Sequence, residues 1–379
     1  MEVIKEKKKR KLVMFTSLPH VGGHSTLTLG LCRLFSAWFS EIEVWVKVMP
    51  EHGHSVDAQK ALEQQGFRVV LISNEKGHIK PLAVARAVLR NWLRPPEVFF
   101  TLAMRNLSLV LRLLMPGSKG LYFHITHDLN ERTKRWLGLV EKTFSKLIFI
   151  CPATYQEFAS NSGKTAWAPQ SSEIPDLKAG DVLEIKSKRQ VAEHRRLSFG
   201  LLGRLTREKG AEAVLNYISN CDKPCEFHIA GTGPFASEFE DLASRKSEGG
   251  PKVYFHGSYS PATRGAFLRD FFGGIDLLLV PSLDEWETLS MVTLEALQHG
   301  TPILCSNAGG LRSFGMQELG PAPNNVICLF NPVDLSAVIS RALSDGPYDA
   351  ASRFGECREH YAACFSDQKV FRRWETLVG

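Results

Sequence analysis

The chain has 379 residues, 44% hydrophobic and 23% charged, with a formal net charge of +6; that length accommodates two domains, each with its own core, and the composition is that of a globular protein. No apolar run reaches the roughly 18 residues of a membrane span, the best being 107–115, which Arg112 interrupts. The basic N-terminus has no apolar segment behind it as a secretory signal would, so the expected location is cytoplasmic.

Apolar β-branched runs alternate with helix-period segments almost from end to end, a pattern that predicts parallel α/β layers. In the first half, strands are expected at 12–17, 43–48, 67–72, 97–101, 120–125 and 147–151, with helices such as 26–39, 56–65, 82–93 and 133–144 between them. Directly after the first strand stands Pro19-His20-Val21-Gly22-Gly23-His24-Ser25. The paired glycines Gly22 and Gly23 allow the backbone to approach a ligand closely, and the helix N-terminus behind them favours an anion. No Gly-x-Gly-x-x-Gly fingerprint occurs, which argues against a dinucleotide oxidoreductase. Further on, His127 follows a strand in Phe123-His124-Ile125-Thr126-His127-Asp128. From the residues alone it reads equally as a loop histidine or a site residue, and His124 as a core or lining residue.

Residues 171–196 lose periodicity and become polar and charged, as a passage between domains does. Strands resume at 197–202, 225–230, 252–256, 275–280, 302–305 and 325–330. The expected organisation is a first domain at 1–170, a linker at 171–196, a second domain at 197–365 and a C-terminal helix at 366–379 that crosses back to the first domain. Two doubly wound domains would face each other across a cleft, with ligands at the carboxyl ends of the strands.

Two constellations in the second half carry chemistry. Gly203-Arg204-Leu205-Thr206-Arg207-Glu208-Lys209-Gly210 closes the first strand there. An arginine and a lysine five positions apart suit a diphosphate, the one offering a planar fork and the other a mobile point charge. The second follows the buried run 275–280 and the turn Pro281-Ser282: Glu287-Thr288-Leu289-Ser290-Met291-Val292-Thr293-Leu294-Glu295. Read as one helix, eight steps return the second carboxylate near the face of the first, roughly 12 Å away along the axis. Two acceptors so spaced can grip both ends of a long polyhydroxy ligand, while N–H groups at the helix start bind an anion between them. The combination suggests a nucleotide sugar.

Charge is unevenly shared. Residues 1–170 hold 24 Lys+Arg against 13 Asp+Glu, whereas 171–379 hold 22 against 27. The basic half is expected to meet something anionic. Arg86, Arg90 and Arg94 recur every fourth residue in a predicted helix that also holds Leu89, Trp92 and Leu93. Such a stripe suits anionic lipid or a phosphorylated glycan, a solvated helix face being the other reading. Lys134, Arg135, Lys142 and Lys146 form a second basic set. Neither is accompanied by an aromatic-rich basic motif, so nucleic acid is not an expected partner. The eight cysteines are scattered without a Cys-x-x-Cys pair, which fits reduced thiols. No Asp-x-Asp and no His/Cys cluster at ligand spacing occurs, so no metal and no cofactor are expected.

The strand ending in Pro281-Ser282, the Glu287-x7-Glu295 segment, and Ala296-Leu297-Gln298-His299-Gly300-Thr301-Pro302-Ile303 together resemble the signature of retaining family-4 glycosyltransferases (glycosyl transferases group 1), which have the α/β GT-B fold of two Rossmann-like domains. Gly203-Arg204-Leu205 with Lys209-Gly210 resembles that family's phosphate site, and Ala230-Gly231-Thr232-Gly233-Pro234 its strand-end turn. Phe255-His256-Gly257 resembles the edge of its base pocket, and Gly22-Gly23 its first loop. The resemblance is strong over 196–335 and weaker over 1–170. It implies that Arg204 and Lys209 neutralise the diphosphate leaving group, Glu295 accepts from the ribose hydroxyls, and Glu287 holds hydroxyls of the donor sugar. Gly203, Gly231, Gly257 and the backbone of Leu289, Ser290 and Met291 would line the donor, and His127 would stand near sugar and acceptor. The implied reaction is metal-independent transfer from a UDP- or GDP-sugar to a glycan, lipid-linked or small-molecule acceptor. A non-catalytic nucleotide-sugar-binding protein, or another GT-B-like enzyme such as a sugar-nucleotide epimerase, is the alternative. Two places depart from the family pattern: Gly309-Gly310-Leu311-Arg312-Ser313 lacks its usual acidic residue, and Cys151-Pro152-Ala153 replaces its strand-end serine.

Overall fold

A computed structural model describes residues 10–19, 24–51, 53–102, 106–127, 129–158, 162–170, 179–190, 196–245, 249–259, 264–283, 285, 287–319, 326–344 and 350–379. The chain divides into two compact units, one of Met1–Ser171 with Val370–Gly379 and one of Ser172–Lys369.

The first unit runs β1 (Lys11–Thr16), α1 (His24–Phe35), β2 (Glu41–Val46), α2 (Val56–Gln64), β3 (Arg68–Leu71), α3 (Pro81–Leu93), β4 (Val98–Leu102), α4 (Leu107–Leu113), β5 (Lys119–His124), α5 (Glu131–Thr143), β6 (Lys146–Phe149), α6 (Pro152–Phe158) and β7 (Thr165–Trp167). Among the described residues these strands form one parallel sheet in the order β3-β2-β1-β4-β5-β6-β7. β1 and β4 are buried at every position, as strands covered on both faces must be, and hence read as mainly apolar runs. The three-residue β7 is too short to give any periodic signal, and the apolar run 107–115 contains α4 rather than a spanning segment.

One buried charge stands in this sheet. Glu43 on β2 is fully buried and accepts from Trp45 Nε1 at 2.7 Å and from Arg90 of α3. Lys11 of β1 lies 3.7 Å from its other oxygen. A carboxylate here is tolerated because cations on two elements converge on it. The chain's last helix also belongs to this unit. In Val370–Gly379, Trp374 is fully buried with its ring centroid 5.4 Å from Phe35, 5.9 Å from Phe100 and 5.1 Å from Phe123, and its Nε1 donates to Pro169 O at 3.1 Å.

The second unit contains α7 (Ala179–Gln190), β8 (Ser198–Arg204), α8 (Ala211–Asn220), β9 (Glu226–Thr232), α9 (Ala236–Ser244), β10 (Lys252–Gly257), α10 (Arg264–Gly274), β11 (Leu277–Val280), α11 (Met291–Gln298), β12 (Ile303–Ser306), β13 (Ile327–Phe330), α12 (Leu335–Ser344) and α13 (Ala350–Cys364). Helix α14 (Asp367–Val378) then leads into the first unit. The sheet is again parallel, β10-β9-β8-β11-β12-β13. The aperiodic segment at 171–196, read as a passage between domains, holds helix α7. Its few apolar residues hide it: Val182 is buried, and the buried Lys186 donates from Nζ to Ile275 O at 2.8 Å. The start of β8 is tied to β11 by Asp276, which accepts from Ser198 N at 2.9 Å and from Ser198 Oγ at 3.1 Å.

α11 ends at Gln298 with His299 as its C-cap, followed by Gly300 at φ 67°, a left-handed stop. His299 is fully buried, and its Nδ1 donates to Glu295 O at 2.7 Å. Burial, with the Lys186, Arg358 and Arg264 charges nearby, pushes its imidazole down to about 3. The folded pKa lies below the unfolded one near 6.5, so the unfolded chain binds the proton first and stability is lost as pH falls from there toward 3. Urea unfolding followed by circular dichroism should show about 2 kcal/mol lost through this residue between pH 7 and pH 5. His299→Gln should flatten that slope, and an unchanged slope would remove His299 as its source.

Candidate active site

The strand order of the second sheet reverses direction between β8 and β11, and a doubly wound sheet opens its crevice at such a point, beyond the carboxyl ends. Both constellations singled out in the sequence leave the sheet there. β8 runs beside β9 up to the pairs Gly203–Gly231 and Arg204–Thr232. Gly231, at φ 140°, lies so close that a Cβ would collide with Gly203 O, and one on Gly233 would collide with Leu205 O. This crowding explains the glycines at 231 and 233. Gly257 ends β10 at φ 64°, after a register shift, with open space around it.

After Arg204 the chain makes a 3-10 turn, Arg207–Lys209, and reaches Gly210 in the left-handed conformation at φ 76°. A Cβ on Gly210 would run into the carbonyl oxygen of Pro281, so only glycine brings this loop against the end of β11. Glu208 O then accepts from Leu283 N at 2.8 Å and from Ser282 Oγ at 3.1 Å. Lys209 Nζ forms an ion pair with Glu287 Oε2, which lies 3.1 Å from Ser282 Oγ, so the one hydroxyl hydrogen of Ser282 is shared between this carboxylate and Glu208 O. Arg204 is half-exposed and lies 3.4 Å from Glu208. Bonding from its own backbone amide, with the Arg204 and Lys209 charges adding, holds the Glu208 carboxyl below its ordinary range. A ligand thus meets two cations at this rim, each already balanced by a carboxylate that can release it.

Glu287 is not on the helix. α11 starts at Met291, with Ser290 as its N-cap, so the helical distance expected between Glu287 and Glu295 does not apply. The reason is tertiary: Glu287 O accepts from Gly310 N at 2.7 Å, and Gly309, at φ 49°, packs against the carbonyls of Glu285 and Glu287. The loop after β12 thereby holds Glu287 in the turn before the helix. Leu289 is buried, and the first N–H groups of α11 behind Ser290 and Met291 have no intrahelical acceptor.

Glu295 lies within α11 and is 1% exposed. Arg264, at the start of α10, pairs with its Oε1, while Oε2 is buried without a hydrogen-bond partner among the described residues. A buried carboxylate oxygen lacking a donor is costly and calls for a hydroxyl or amide. Arg264 and Ser282 are the residues that sequence reasoning missed. Ser282 stood in view only as part of a turn, and Arg264 opens a helix with nothing in its spacing to link it to Glu295.

In the first unit, His127 follows β5 and is buried. Its Nδ1 lies 2.7 Å from Thr154 Oγ1 and its Nε2 3.4 Å from Glu157 Oε2. Thr154 Oγ1 is also 3.0 Å from Cys151 Sγ, so the Cys-Pro-Ala departure contributes to the packing around this histidine. Gly22 and Gly23 lie outside the described residues.

Residues 196–345 match the family model of the glycosyl transferases group 1. Over 151 residues the chain is 31% identical to an uncharacterised glycosyltransferase of Methanocaldococcus jannaschii, covering 38% of this chain and 35% of that one. Over 142 residues it is 29% identical to the sulfoquinovosyl transferase of Arabidopsis thaliana, covering 37% and 24%. The chain therefore spans about a third and a quarter of the lengths of these curated relatives. Among solved structures, HepE of Anabaena in complex with UDP superposes with a TM-score of 0.70 at 16% identity, over 97% of this chain and 99% of that one. The fold is GT-B.

Two substitutions test the loop geometry. Gly257→Ala meets only left-handed strain, about 1–2 kcal/mol. Gly210→Ala adds a collision with backbone, and its urea midpoint should fall clearly further. Equal losses at the two positions would refute the close approach to Pro281.

Proposed function

We propose that the chain is a retaining, metal-independent glycosyltransferase of hexosyltransferase type. It moves a sugar from a nucleotide-diphosphate donor to a glycan, lipid-linked or small-molecule acceptor in polysaccharide or glycoconjugate synthesis. The observation that carries this reading is the Lys209–Glu287–Ser282 cluster at the β8/β11 switch point, within the segment that matches the group 1 family. That HepE, of the same fold, was solved with UDP and with UDP-glucose supports a nucleotide-sugar donor, here a UDP- or GDP-sugar.

In this reading Arg204 and Lys209 meet the diphosphate, and Lys209 passes from Glu287 to the phosphate oxygens as the donor enters. Glu287, still held by Ser282, then accepts from sugar hydroxyls. Gly203, Gly231 and Gly257 let the backbone approach the nucleotide, and the backbone of Leu289–Met291, which leads into α11, faces the sugar phosphate with the helix N-terminus behind it. The buried Oε2 of Glu295 takes a ribose hydroxyl. The family resemblance assigns Gly22 and Gly23 to the donor and His127 to the sugar and acceptor. Retention follows from a front-face route in which the departing phosphate takes the acceptor's proton. The principal catalytic effect is electrostatic stabilisation of that phosphate by Arg204 and Lys209.

Nucleotide release should be measured with UDP-, GDP- and ADP-sugars, with and without acceptors. Release dependent on an acceptor is expected, with Lys209→Ala reducing it on the order of 10²–10³-fold. Undiminished turnover in that variant would refute the phosphate assignment. Binding of a donor without turnover on any acceptor would favour the non-catalytic alternative. NMR of the product anomer checks retention.

A further inference from the structure

Helix α3 presents its apolar residues to the outside. Leu82, Leu89, Trp92 and Leu93 recur at helical spacing and are 59–79% exposed, while the opposite face buries Ala87, Val88 and Asn91. An ordinary surface helix shows the reverse arrangement. The feature extends beyond one helix. Trp92 Nε1 donates to Leu114 O at 2.6 Å, tying α3 to the end of α4, where Val110 and Leu113 are also exposed. Right-handed crossovers from β3 to β6 set α3, α4 and α5 on one face of the first sheet, so the exposed side chains share one surface. Scattered exposed leucines are unremarkable, but a contiguous group on adjoining helices marks an interaction site.

The charges around this surface select its partner. α3 and α4 contain no acidic residue. Arg90 turns inward to Glu43, which breaks the arginine stripe expected from sequence and leaves Arg86 and Arg94 exposed. On α5 the exposed residues beyond its first position are Arg132, Arg135, Leu139 and Lys142. Apolar side chains flanked by outward cations match an anionic bilayer: the leucines and the indole enter the acyl boundary and the arginines meet the headgroups. No helix among the described residues is long and apolar enough to cross a membrane, so contact would be made from one side.

We propose that the α3–α4–α5 face of the first unit docks the protein peripherally on anionic lipid. The inference does not depend on the donor reading, because it concerns a surface of the first unit and is tested without nucleotide. Purified full-length protein is co-sedimented with phosphatidylcholine vesicles and with vesicles in which phosphatidylglycerol replaces about a third of the lipid. Binding to the anionic vesicles should exceed binding to the neutral ones at least tenfold and weaken with salt. Leu89→Ser with Leu93→Ser should lower it at least tenfold, and Arg86→Glu with Arg94→Glu should abolish the anionic preference. All four side chains are exposed, and unchanged thermal melts would confirm that these variants fold. No binding to anionic vesicles, equal binding to both kinds, or variants that sediment like the parent would overturn the proposal. So would self-association that the leucine pair abolishes in a protein that ignores vesicles, because a second copy would then be the partner.

Discussion

The second unit depends on the contact between the loop that leaves β8 and the loop that leaves β11. Glu208 O binds both Leu283 N and Ser282 Oγ, and Gly210 rests against the Pro281 carbonyl with no room for a side chain. These contacts place Lys209 beside Glu287 and Ser282. The other end of the same strand pair is fixed by Asp276, which receives Ser198 through both backbone and hydroxyl. β8 and β11 are therefore locked at both ends, and the crevice at the switch point has a rigid floor.

Electrostatics in this unit follow one design. Each carboxylate assigned to the donor is already engaged by a cation: Glu287 by Lys209 and Glu295 by Arg264. Such pairing avoids an uncompensated buried charge. It also leaves hydrogen-bonding capacity in reserve, most plainly at Glu295 Oε2. A ligand that brings an anion and several hydroxyls can take the cations and satisfy the freed oxygens together. A ligand offering only one of these would leave part of the site unsatisfied, a physical basis for selecting a molecule with both.

Legibility in the sequence tracked local physics. Strands buried on both faces announce themselves as apolar runs, and β1, β4, β8 and β11 fall within a few residues of the expected positions. The glycine-bracketed loop at 203–210 was visible because its glycines take left-handed or otherwise positive φ, and at Gly210 the close approach to Pro281 admits no other residue. Helix α7 was hidden because it presents only a few apolar side chains to the unit it packs on. The setting of Glu287 was misread because a spacing of eight coincides with helical repetition, whereas a bond from Gly310 N holds that residue in a turn. The pairing of Arg264 with Glu295 joins residues 31 positions apart and leaves no local trace. What sequence could not supply was long-range: which loop touches which, and which cation sits on which carboxylate.

The most direct test of the donor site is hydrogen–deuterium exchange of the full chain with and without saturating UDP, and then GDP. At least one of the two should slow exchange in 203–210 and 287–295, the segments beyond β8 and β11. Binding that leaves both segments unchanged, with protection elsewhere, would contradict the donor-site assignment.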